Sequence, residues 1–560
     1  MAGTTDQTLR PLLWRASRLF PDREIVSRTH EGVQRYTYAE YERRVGKLAD
    51  ALAAAGVSEG DRVATFSWNH HWHFETYFAV PNMGAQLHTI NPLLPAHHIQ
   101  YIVENASDSV IFVDPSLLEK LEAAVAAEGG EEAFASVDQF VVVGSSVPDT
   151  SLSPVTDFES FVDGREADYD WPEVDEEQPA GMCYTSGTTG KPKGVEYTQQ
   201  MLWAHTMASL PQSGLDIGAD DVVMPVVPMF HVNAWGMPFS ATAAGAKHVY
   251  PGPAPSSEDL AKLIEEEGVT LTAGVPTVWL GLLDYLDEHD ADLSSLERIV
   301  IGGSAAPQSV IRRFDEEYDV DVLHAWGMSE MSPIGTVSHL KPGMEELSKE
   351  EQYEKRAKQG LFVPGLEYKV IGDDGEEVPQ NGEDFGELWV RGPWVVTEYF
   401  KRPDANEEDF EDAPGGKWLK TGDVVTIDPD GYMELVDRAK DVIKSGGEWI
   451  SSVELENALM AHDDVAEATV IGVPHERWQE RPVACVVPKE GVDDEGLRAD
   501  LQELVAEKFP KWWTPDEVVF IDEVPKTATG KFDKKVLRDQ YDDESLVEGK
   551  TPDEAAPGQD

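Results

Sequence analysis

Strand-like and helix-like segments alternate along the first 330 residues, and this alternation limits the possible folds more than any other feature of the sequence. Thr37-Tyr-Ala-Glu40 has the pattern of a capping box that opens a helix through Ala55, and an apolar strand follows at Arg62–Ser67. Similar strands recur at Arg298–Ile301 and Asp321–Trp326. Strands separated by helices are typical of a mostly parallel sheet, so we predict an α/β fold with helices flanking the sheets.

The length of the chain and the change in its strand and helix pattern beyond Tyr368 predict more than one domain. A chain of 560 residues is too long for a single core. An amphipathic helix is predicted at His71–Met83 and a charged surface helix at Met344–Gln359, and short strands with glycine turns beyond Tyr368 predict an antiparallel β subdomain. We therefore predict a large domain over residues 1–437, a small α+β domain over 438–544 and an acidic disordered tail over 545–560.

The charge of the chain excludes several classes of function. Its 45 Lys and Arg against 105 Asp and Glu give a net charge of −60, which would be repelled by nucleic acid and by anionic lipid. The acidic residues are spread along the chain, which suggests a cytosol of molar salt, where screening is strong. No basic leader or long apolar run occurs, so we expect a cytoplasmic protein without a membrane segment. Cys183 and Cys485 lie in apolar runs and are predicted to be buried thiols.

A loop suited to phosphate follows an apolar strand in the first domain. Tyr184–Val195 contains three glycines, four Ser or Thr side chains and two lysines. Glycines let the backbone approach an anion closely, hydroxyls donate hydrogen bonds or bind a metal, and lysines neutralise charge. The spacing differs from the Walker A motif, because Pro192 follows Lys191 and prevents a helix from starting there.

This loop and five further motifs, in the same order, resemble those of the acyl-adenylate-forming enzymes. That superfamily comprises acyl-CoA synthetases, luciferases and peptide-synthetase adenylation domains, and the resemblance covers roughly residues 30 to 542. The other motifs are Trp326–Glu330, Lys420–Asp423, Asp437–Lys440, Ser445–Trp449 and Pro525–Lys531. Any one of these motifs alone could be an ordinary turn or surface segment without a function, whereas an ordered set of six does not arise readily by chance.

The resemblance implies a site for ATP and Mg²⁺ in which a carboxylic acid becomes an acyl adenylate. Thr185 and Glu330 match the metal ligands, and Lys193, Glu330 and Lys531 match the catalytic residues. The positions that match nucleotide contacts are Thr185, Ser186, Gly187, Thr188, Thr189, Gly190, Lys193, Gly303, Ser304, Ala305, Trp326, Gly327, Met328, Ser329, Asp423, Arg438 and Lys531. Such a site needs positive charge, because the carboxylate anion of the acid reacts beside the anionic triphosphate of ATP.

The same resemblance implies CoA as the second substrate and a mobile C-terminal lid that rotates between two half-reactions. Positions that match the acyl pocket are His231, Trp235 and Val275, and those that match the hinge and the thiol channel are Lys440, Lys444, Gly446, Gly447 and Trp449. These strings look like the branch that activates medium- and long-chain fatty acids, in which a tryptophan at the position of Trp235 gates the acyl tunnel. Residues past Val278 are either pocket lining or core.

Other classes of function remain alternatives. A short or methylthio alkanoate is a possible acid, and a carrier protein is a possible acceptor in place of CoA. A light-emitting oxygenase belongs to the same superfamily, while a catalytically dead homologue is disfavoured because the charged motif residues are all present. The expected partners are small molecules, namely fatty acid, ATP and CoA, and a homodimer is left open.

Overall fold

The computed structural model describes residues 6–185, 191–372, 374–438, 441–445, 448–462, 464–475, 478–489, 491–492, 494–526 and 532–541. It divides into two compact units. The first comprises Met1–Glu367 and Val390–Leu419, and the second comprises Tyr368–Trp389 and Lys420–Asp560. The boundary at residues 437 and 438 stays a prediction.

The strands begin and end at the following residues. Those up to residue 362 are β1 (Glu24–Thr29), β2 (Gly32–Thr37), β3 (Arg62–Phe66), β4 (Gln86–Thr89), β5 (Val110–Val113), β6 (Gln139–Val142), β7 (Val155–Asp157), β8 (Pro179–Tyr184), β9 (Gly194–Thr198), β10 (Val222–Pro225), β11 (Lys247–Tyr250), β12 (Leu271–Gly274), β13 (Arg298–Ile301), β14 (Asp321–Gly327), β15 (Ile334–Val337) and β16 (Leu361–Phe362). The later ones are β17 (Glu367–Ile371), β18 (Phe385–Arg391), β19 (Phe410–Ala413), β20 (Gly416–Ile427), β21 (Met433–Arg438), β22 (Ile443–Ser445), β23 (Glu448–Ile450), β24 (Val465–His475), β25 (Gln479–Pro488) and β26 (Glu517–Phe520).

Helices separate most of these strands. They are α1 (Arg10–Leu19), α2 (Tyr38–Ala54), α3 (His71–Asn82), α4 (Ala96–Ala106), α5 (Leu118–Ala126), α6 (Gly130–Ala133), α7 (Phe158–Val162), α8 (Gln199–Ser209), α9 (Val232–Trp235), α10 (Met237–Ala244), α11 (Ser257–Glu267), α12 (Pro276–Glu288), α13 (Gln308–Tyr318), α14 (Lys349–Ala357), α15 (Pro403–Asp409), α16 (Ser452–Met460), α17 (Asp494–Lys508) and α18 (Lys534–Tyr541). Short 3₁₀ turns lie at Pro115–Leu117, Ser329–Met331, Met344–Glu346 and Lys511–Trp513.

Two large sheets form the framework of the first unit. Among the described residues, one has the strand order β16-β15-β14-β13-β12-β10-β11-β1-β2, and the other has the order β7-β6-β5-β3-β4-β8-β9. The inner strands are parallel in both, while β2, β15, β16 and β9 add antiparallel edges. The predicted α/β class is therefore confirmed, and the carboxyl ends of the inner parallel strands β12 and β13 lead into the segments singled out in the sequence.

Several helices and strands lie at the positions that local sequence signals predicted. Thr37 and Glu40 form the capping box of α2, in which the Thr37 N–H donates to the Glu40 carboxylate at 2.8 Å. The strand Arg298–Ile301 has the predicted bounds. The charged helix is shorter than predicted, because Met344–Glu346 forms a separate 3₁₀ turn and Ser348 caps a helix that begins at Lys349.

The prediction that His71–Met83 is amphipathic was wrong. All twelve residues of α3 are buried, because the helix contacts α1 and α2 as well as strands of both large sheets. Several of its polar side chains have hydrogen-bond partners inside the protein. Glu75, for example, accepts a hydrogen bond from Nε of Arg44 at 2.6 Å. Burial raises the pKa of Glu75 to about 7, although Arg44 opposes that shift.

The core of the first unit shows whether the residues past Val278 line a pocket or belong to the core. Trp279, Leu282 and Leu283 are buried in one hydrophobic cluster with Ile299 and Phe314, and Val278 packs against that cluster. This face of α12 is thus core and not pocket lining. Cys183 and Cys485 are both buried free thiols, as predicted.

The second unit contains a smaller sheet with the strand order β23-β22-β25-β24 and with β26 parallel to β25. Helices α16 and α17 supply Leu455, Leu459, Leu497 and Leu501 to its core. Asp437, the first residue of the predicted hinge motif, accepts a 2.8 Å hydrogen bond from the Ser452 N–H at the start of α16. Within the described part of the chain, no helix combines the length and the apolar character that crossing a bilayer requires.

Candidate functional site

The antiparallel pair β8 and β9 brings two of the predicted ATP-site residues together. The Thr185 N–H donates to the Lys193 carbonyl at 2.9 Å, and the Lys193 N–H donates to Oγ1 of Thr185 at 3.3 Å. These contacts clamp the base of the phosphate loop. Its interior residues lie outside the described residues, namely Ser186, Gly187, Thr188, Thr189 and Gly190.

Glu330 is a buried carboxylate just beyond the end of β14. The Tyr399 hydroxyl donates to Oε1 of Glu330 at 2.8 Å, and the Val396 N–H donates to the Glu330 carbonyl at 2.9 Å. Burial, followed by the charges of Glu330 and Asp409, raises the pKa of Tyr399 well above its usual value. The phenol thus stays protonated and donates to the carboxylate throughout the physiological pH range.

Lys193 joins this carboxylate to the phosphate loop. Its ammonium lies 4.6 Å from the centre of the Tyr399 ring and forms an ion pair with Asp409 at the end of α15. Lys193, Tyr399, Glu330 and Thr185 are therefore linked by an unbroken series of contacts. The series contains a cation, a carboxylate and a hydroxyl, which are groups suited to a phosphate chain that carries a metal ion.

The segment that precedes Glu330 is held by close backbone packing. A Cβ at Gly327 would lie 2.0 Å from the carbonyl oxygen of Pro333, so only glycine fits there. The Met328 N–H donates to that same carbonyl at 3.2 Å, and the Tyr197 hydroxyl donates to the Ser329 carbonyl at 2.8 Å. Trp326 is buried, whereas Gly327, Met328 and Ser329 are half-buried.

The turn after β13 contains Gly303, Ser304 and Ala305, which match an adenine-binding turn. It is anchored by His324 of β14, whose Nε2 accepts the Ala306 N–H at 3.3 Å. Nδ1 of His324 lies 2.8 Å from the Ala357 carbonyl. Burial lowers the pKa of His324 to about 4, so at neutral pH the anchor is an uncharged imidazole.

The segment that matches the acyl gate has an unusual backbone. Val232, Asn233, Ala234 and Trp235 have φ values of 36°, 56°, 48° and 55°, so α9 is a turn of left-handed helix. Such a conformation costs roughly 1–2 kcal/mol for each residue with a side chain, and strain of this kind is concentrated at functional sites. The turn directs the Trp235 ring toward the turn that follows β13. A Cβ at Gly302 would lie 3.1 Å from Cη2 of Trp235.

Buried polar contacts support the approach to this left-handed turn. The Asn69 side chain donates to the carbonyls of Pro225 and Val227 at 2.9 Å each and accepts the Met229 N–H at 2.7 Å. His231 and Val275, the other positions that match the acyl pocket, are half-buried. His231 begins the turn and Val275 precedes α12.

Two further predicted contacts lie in the second unit. The register of β20 and β21 pairs Asp423 with Arg438, the two positions that match the ribose-binding residues. Asp423 is buried, and Lys444 on β22 is exposed. Lys440, Gly446, Gly447 and Lys531 lie outside the described residues, as do the side chains of Arg438 and Trp449.

The donor set in the first unit fits a magnesium ion. Mg²⁺ is usually held by one or two carboxylates together with phosphates of the substrate, and it prefers hard oxygen ligands. Glu330 supplies a buried carboxylate and Thr185 a half-buried hydroxyl within the linked series described above. Among the residues that the structure describes, no group of three or more His, Cys, Asp or Glu side chains is placed to hold a metal.

Sequence reasoning missed several residues of this site. Tyr399 and Asp409 contact Glu330 and Lys193 from positions 69 and 216 residues away along the chain. No local pattern marks them, because Tyr399 stands in an ordinary aromatic pair and Asp409 in an acidic run. His324 and Asn69 give a weak signal, since a polar residue within or just after an apolar strand needs a buried partner.

Comparisons with known proteins agree on one family. The model for AMP-binding enzymes matches residues 13–400, and the model for their C-terminal domain matches residues 454–531. A long-chain-fatty-acid–CoA ligase from Thermus thermophilus is 47% identical, with 94% of each chain covered. A 3-methylmercaptopropionyl-CoA ligase from Ruegeria lacuscaerulensis is 44% identical, with 95% of this chain and 97% of the relative covered.

A solved structure shows the same architecture. The o-succinylbenzoate CoA synthetase from Bacillus subtilis in complex with ATP and magnesium superposes with a TM-score of 0.77 at 26% identity. The superposition covers 96% of this chain and all of the other.

Proposed function

Because the chain belongs to the AMP-binding enzyme family, we propose that it is an AMP-forming acid–thiol ligase that joins a fatty acid to CoA at the expense of ATP. The observation that carries this proposal is the 47% identity to a long-chain-fatty-acid–CoA ligase across 94% of both chains. The reaction has two halves. The carboxylate first displaces pyrophosphate from ATP to give an acyl adenylate, and the CoA thiol then displaces AMP to give the thioester.

The residues of the first unit have separate tasks in the first half-reaction. Lys193 neutralises the β- and γ-phosphates, and the glycine turn after β13 holds the adenine. Glu330 and Thr185 hold Mg²⁺, which supplies positive charge to the phosphate oxygens when it is bound. Tyr399 keeps the Glu330 carboxylate oriented through its 2.8 Å hydrogen bond. Together these groups stabilise the charge that develops at the α-phosphorus.

In this proposal the acid is a medium- or long-chain fatty acid. The 44% identity to a ligase named for a methylthio acid makes a short sulfur-containing alkanoate the second candidate. Both acids have an apolar tail, so the buried surroundings of Trp235 suit either of them.

The function is tested by exchange of labelled pyrophosphate into ATP over a panel of acids, followed by thioester formation with free CoA. We expect exchange that depends on a fatty acid and a thioester that forms without a carrier protein. Exchange with methylthio alkanoates alone would select the second candidate. No exchange with any carboxylic acid would contradict the ligase assignment.

The gate role of Trp235 predicts a change in chain-length preference. Because Trp235 closes the acyl pocket in this proposal, Trp235→Ala should shift the preferred acid length, while the apparent affinity for ATP changes less than about threefold, well under the 1.4 kcal/mol that a tenfold change represents. The measurement is kcat/KM over acids of increasing length. Trp279→Phe is the control, since Trp279 is a core residue. An equal loss for all acids in Trp235→Ala would mark Trp235 as core packing.

The acidic composition predicts a requirement for salt. A net charge of −60 creates self-repulsion that is screened at molar ionic strength, where the Debye length is about 3 Å. We propose that the protein works in a high-salt cytosol and expect its stability to rise from low salt to molar KCl. Unfolding curves at several KCl concentrations measure this, and full stability at low salt would contradict it.

A further inference from the structure

We propose that Asp409 sets the affinity of the phosphate site by competing with the terminal phosphates of ATP for Lys193. The proposal rests on the function given above and assigns a role to a residue that no motif singles out. Lys193 and Asp409 form an ion pair, and their side chains are 31% and 21% exposed. Any phosphate oxygen that takes Lys193 as its partner must replace this carboxylate or share the ammonium with it.

The position of Asp409 in its helix argues against a merely structural role. Asp409 is the last residue of α15, where the helix already presents partial negative charge from its final carbonyls. An acidic residue there lowers the stability of the helix. Lys193 offsets that unfavourable charge, so the carboxylate and the helix end together attract the lysine that the proposed function assigns to the phosphates.

The charges around Lys193 strengthen the competition. Glu330 and Asp409 both interact with the Tyr399 hydroxyl, and Lys193 lies over the ring of that tyrosine. The ammonium that pairs with Asp409 therefore lies against a tyrosine whose hydroxyl donates to Glu330. A polyphosphate that enters adds further negative charge at this point, and like charges at short distance raise the free energy of binding.

Neighbouring cations have other partners. Both terminal nitrogens of Arg402 are engaged, Nη1 with the Lys191 carbonyl at 3.3 Å and Nη2 with Asp404 at 2.9 Å. Lys191 lies 4.8 Å from the centre of the Tyr101 ring. Asp409 consequently lowers the affinity for phosphate by its ion pair with Lys193. Removal of the Asp409 charge should make that lysine available to the phosphates.

Equilibrium binding of ATP and of AMP to the full-length protein, without acid or CoA, tests the proposal. Asp409→Asn should lower the Kd for ATP about fivefold, which is the scale of a partly exposed ion pair. The Kd for AMP should stay unchanged, because AMP lacks the β- and γ-phosphates. Glu408→Gln is the matched control, since it removes one exposed charge from the same helix. It should alter neither Kd.

A double variant separates competition from other roles. In a Lys193→Met background, Asp409→Asn should no longer tighten ATP binding, because the shared cation is gone. An unchanged ratio of the ATP and AMP affinities in Asp409→Asn would overturn the proposal. Weaker ATP binding only when Mg²⁺ is present would also overturn it and would make Asp409 a metal ligand. Wild-type protein that binds neither nucleotide would overturn the proposed function and this inference with it.

Discussion

Replacement of Lys531 by alanine is expected to slow adenylate formation about 10²- to 10³-fold, the usual cost of removing one charge contact from a polar transition state. Lys531 matches the lysine that the family delivers to the acyl and phosphate oxygens during adenylation, and its structural placement lies outside the described residues. When pre-formed acyl adenylate is supplied, the variant should transfer the acyl group to CoA at a nearly normal rate. Single-turnover measurements of each half-reaction provide both rates.

Two variants serve as controls for that result. Lys526→Ala removes an exposed lysine of the same motif as Lys531, one that pairs with Glu467 on β24, and it should slow neither half-reaction. Lys440→Pro fixes the backbone dihedral at the matched hinge position near roughly −65°, so it should keep adenylation and lose thioester formation. Equal damage to both half-reactions in Lys531→Ala and Lys440→Pro would contradict a lid with two positions, even if the ligase assignment holds.

Glu330→Gln is expected to slow adenylation about a hundredfold, or ~3 kcal/mol, because it replaces the carboxylate that we propose as a ligand of Mg²⁺ by a neutral amide of the same shape. The concentration of Mg²⁺ or Mn²⁺ needed for half-maximal pyrophosphate exchange should rise in parallel. The amide oxygen still accepts the Tyr399 hydroxyl, so the fold should be retained. Pyrophosphate exchange titrated with each metal ion measures the effect.

Tyr399→Phe distinguishes the metal role of Glu330 from its hydrogen bond. That variant removes the 2.8 Å contact and keeps the ring under Lys193, so its loss of rate should be smaller than that of Glu330→Gln. An equal loss in the two variants, with no change in metal dependence, would remove Glu330 from the metal site and make it an element of packing.

The sequence predicts the chemistry of the site from motifs that are local, and that chemistry stays a prediction. Each motif consists of a few adjacent residues. Examples are the glycine- and threonine-rich loop, the carboxylate after a strand and the lysine loop near the end of the chain. The elements were predictable for the same reason. The capping box at Thr37 and the strand Arg298–Ile301 depend on hydrogen bonds and side-chain periods within one segment. The resemblance to a family then rested on the order of these segments.

Elements whose environment depends on remote parts of the chain were predicted less well. The helix α3 has a polar face in the sequence, yet both large sheets and two helices bury it on every side. Trp279 was equally compatible with pocket and core from the sequence, whereas in the structure it is buried in one hydrophobic cluster with residues of α11, β13 and α13. The spacing of apolar residues in a helix indicates which of its faces can be buried. Whether the opposite face is buried too depends on the elements that surround the helix.

The motifs alone identify the groups that we propose to act in adenylation, namely Lys193, Glu330, Asp423 and Lys531. The partners of Lys193 and Glu330, in contrast, are seen in the folded chain and not in its motifs. Lys193 pairs with Asp409 from 216 residues away, Glu330 is oriented by Tyr399, and a left-handed turn directs Trp235 toward Gly302. A local motif fixes a few neighbouring dihedral angles, whereas contacts between residues far apart in the chain form only when the whole core is packed.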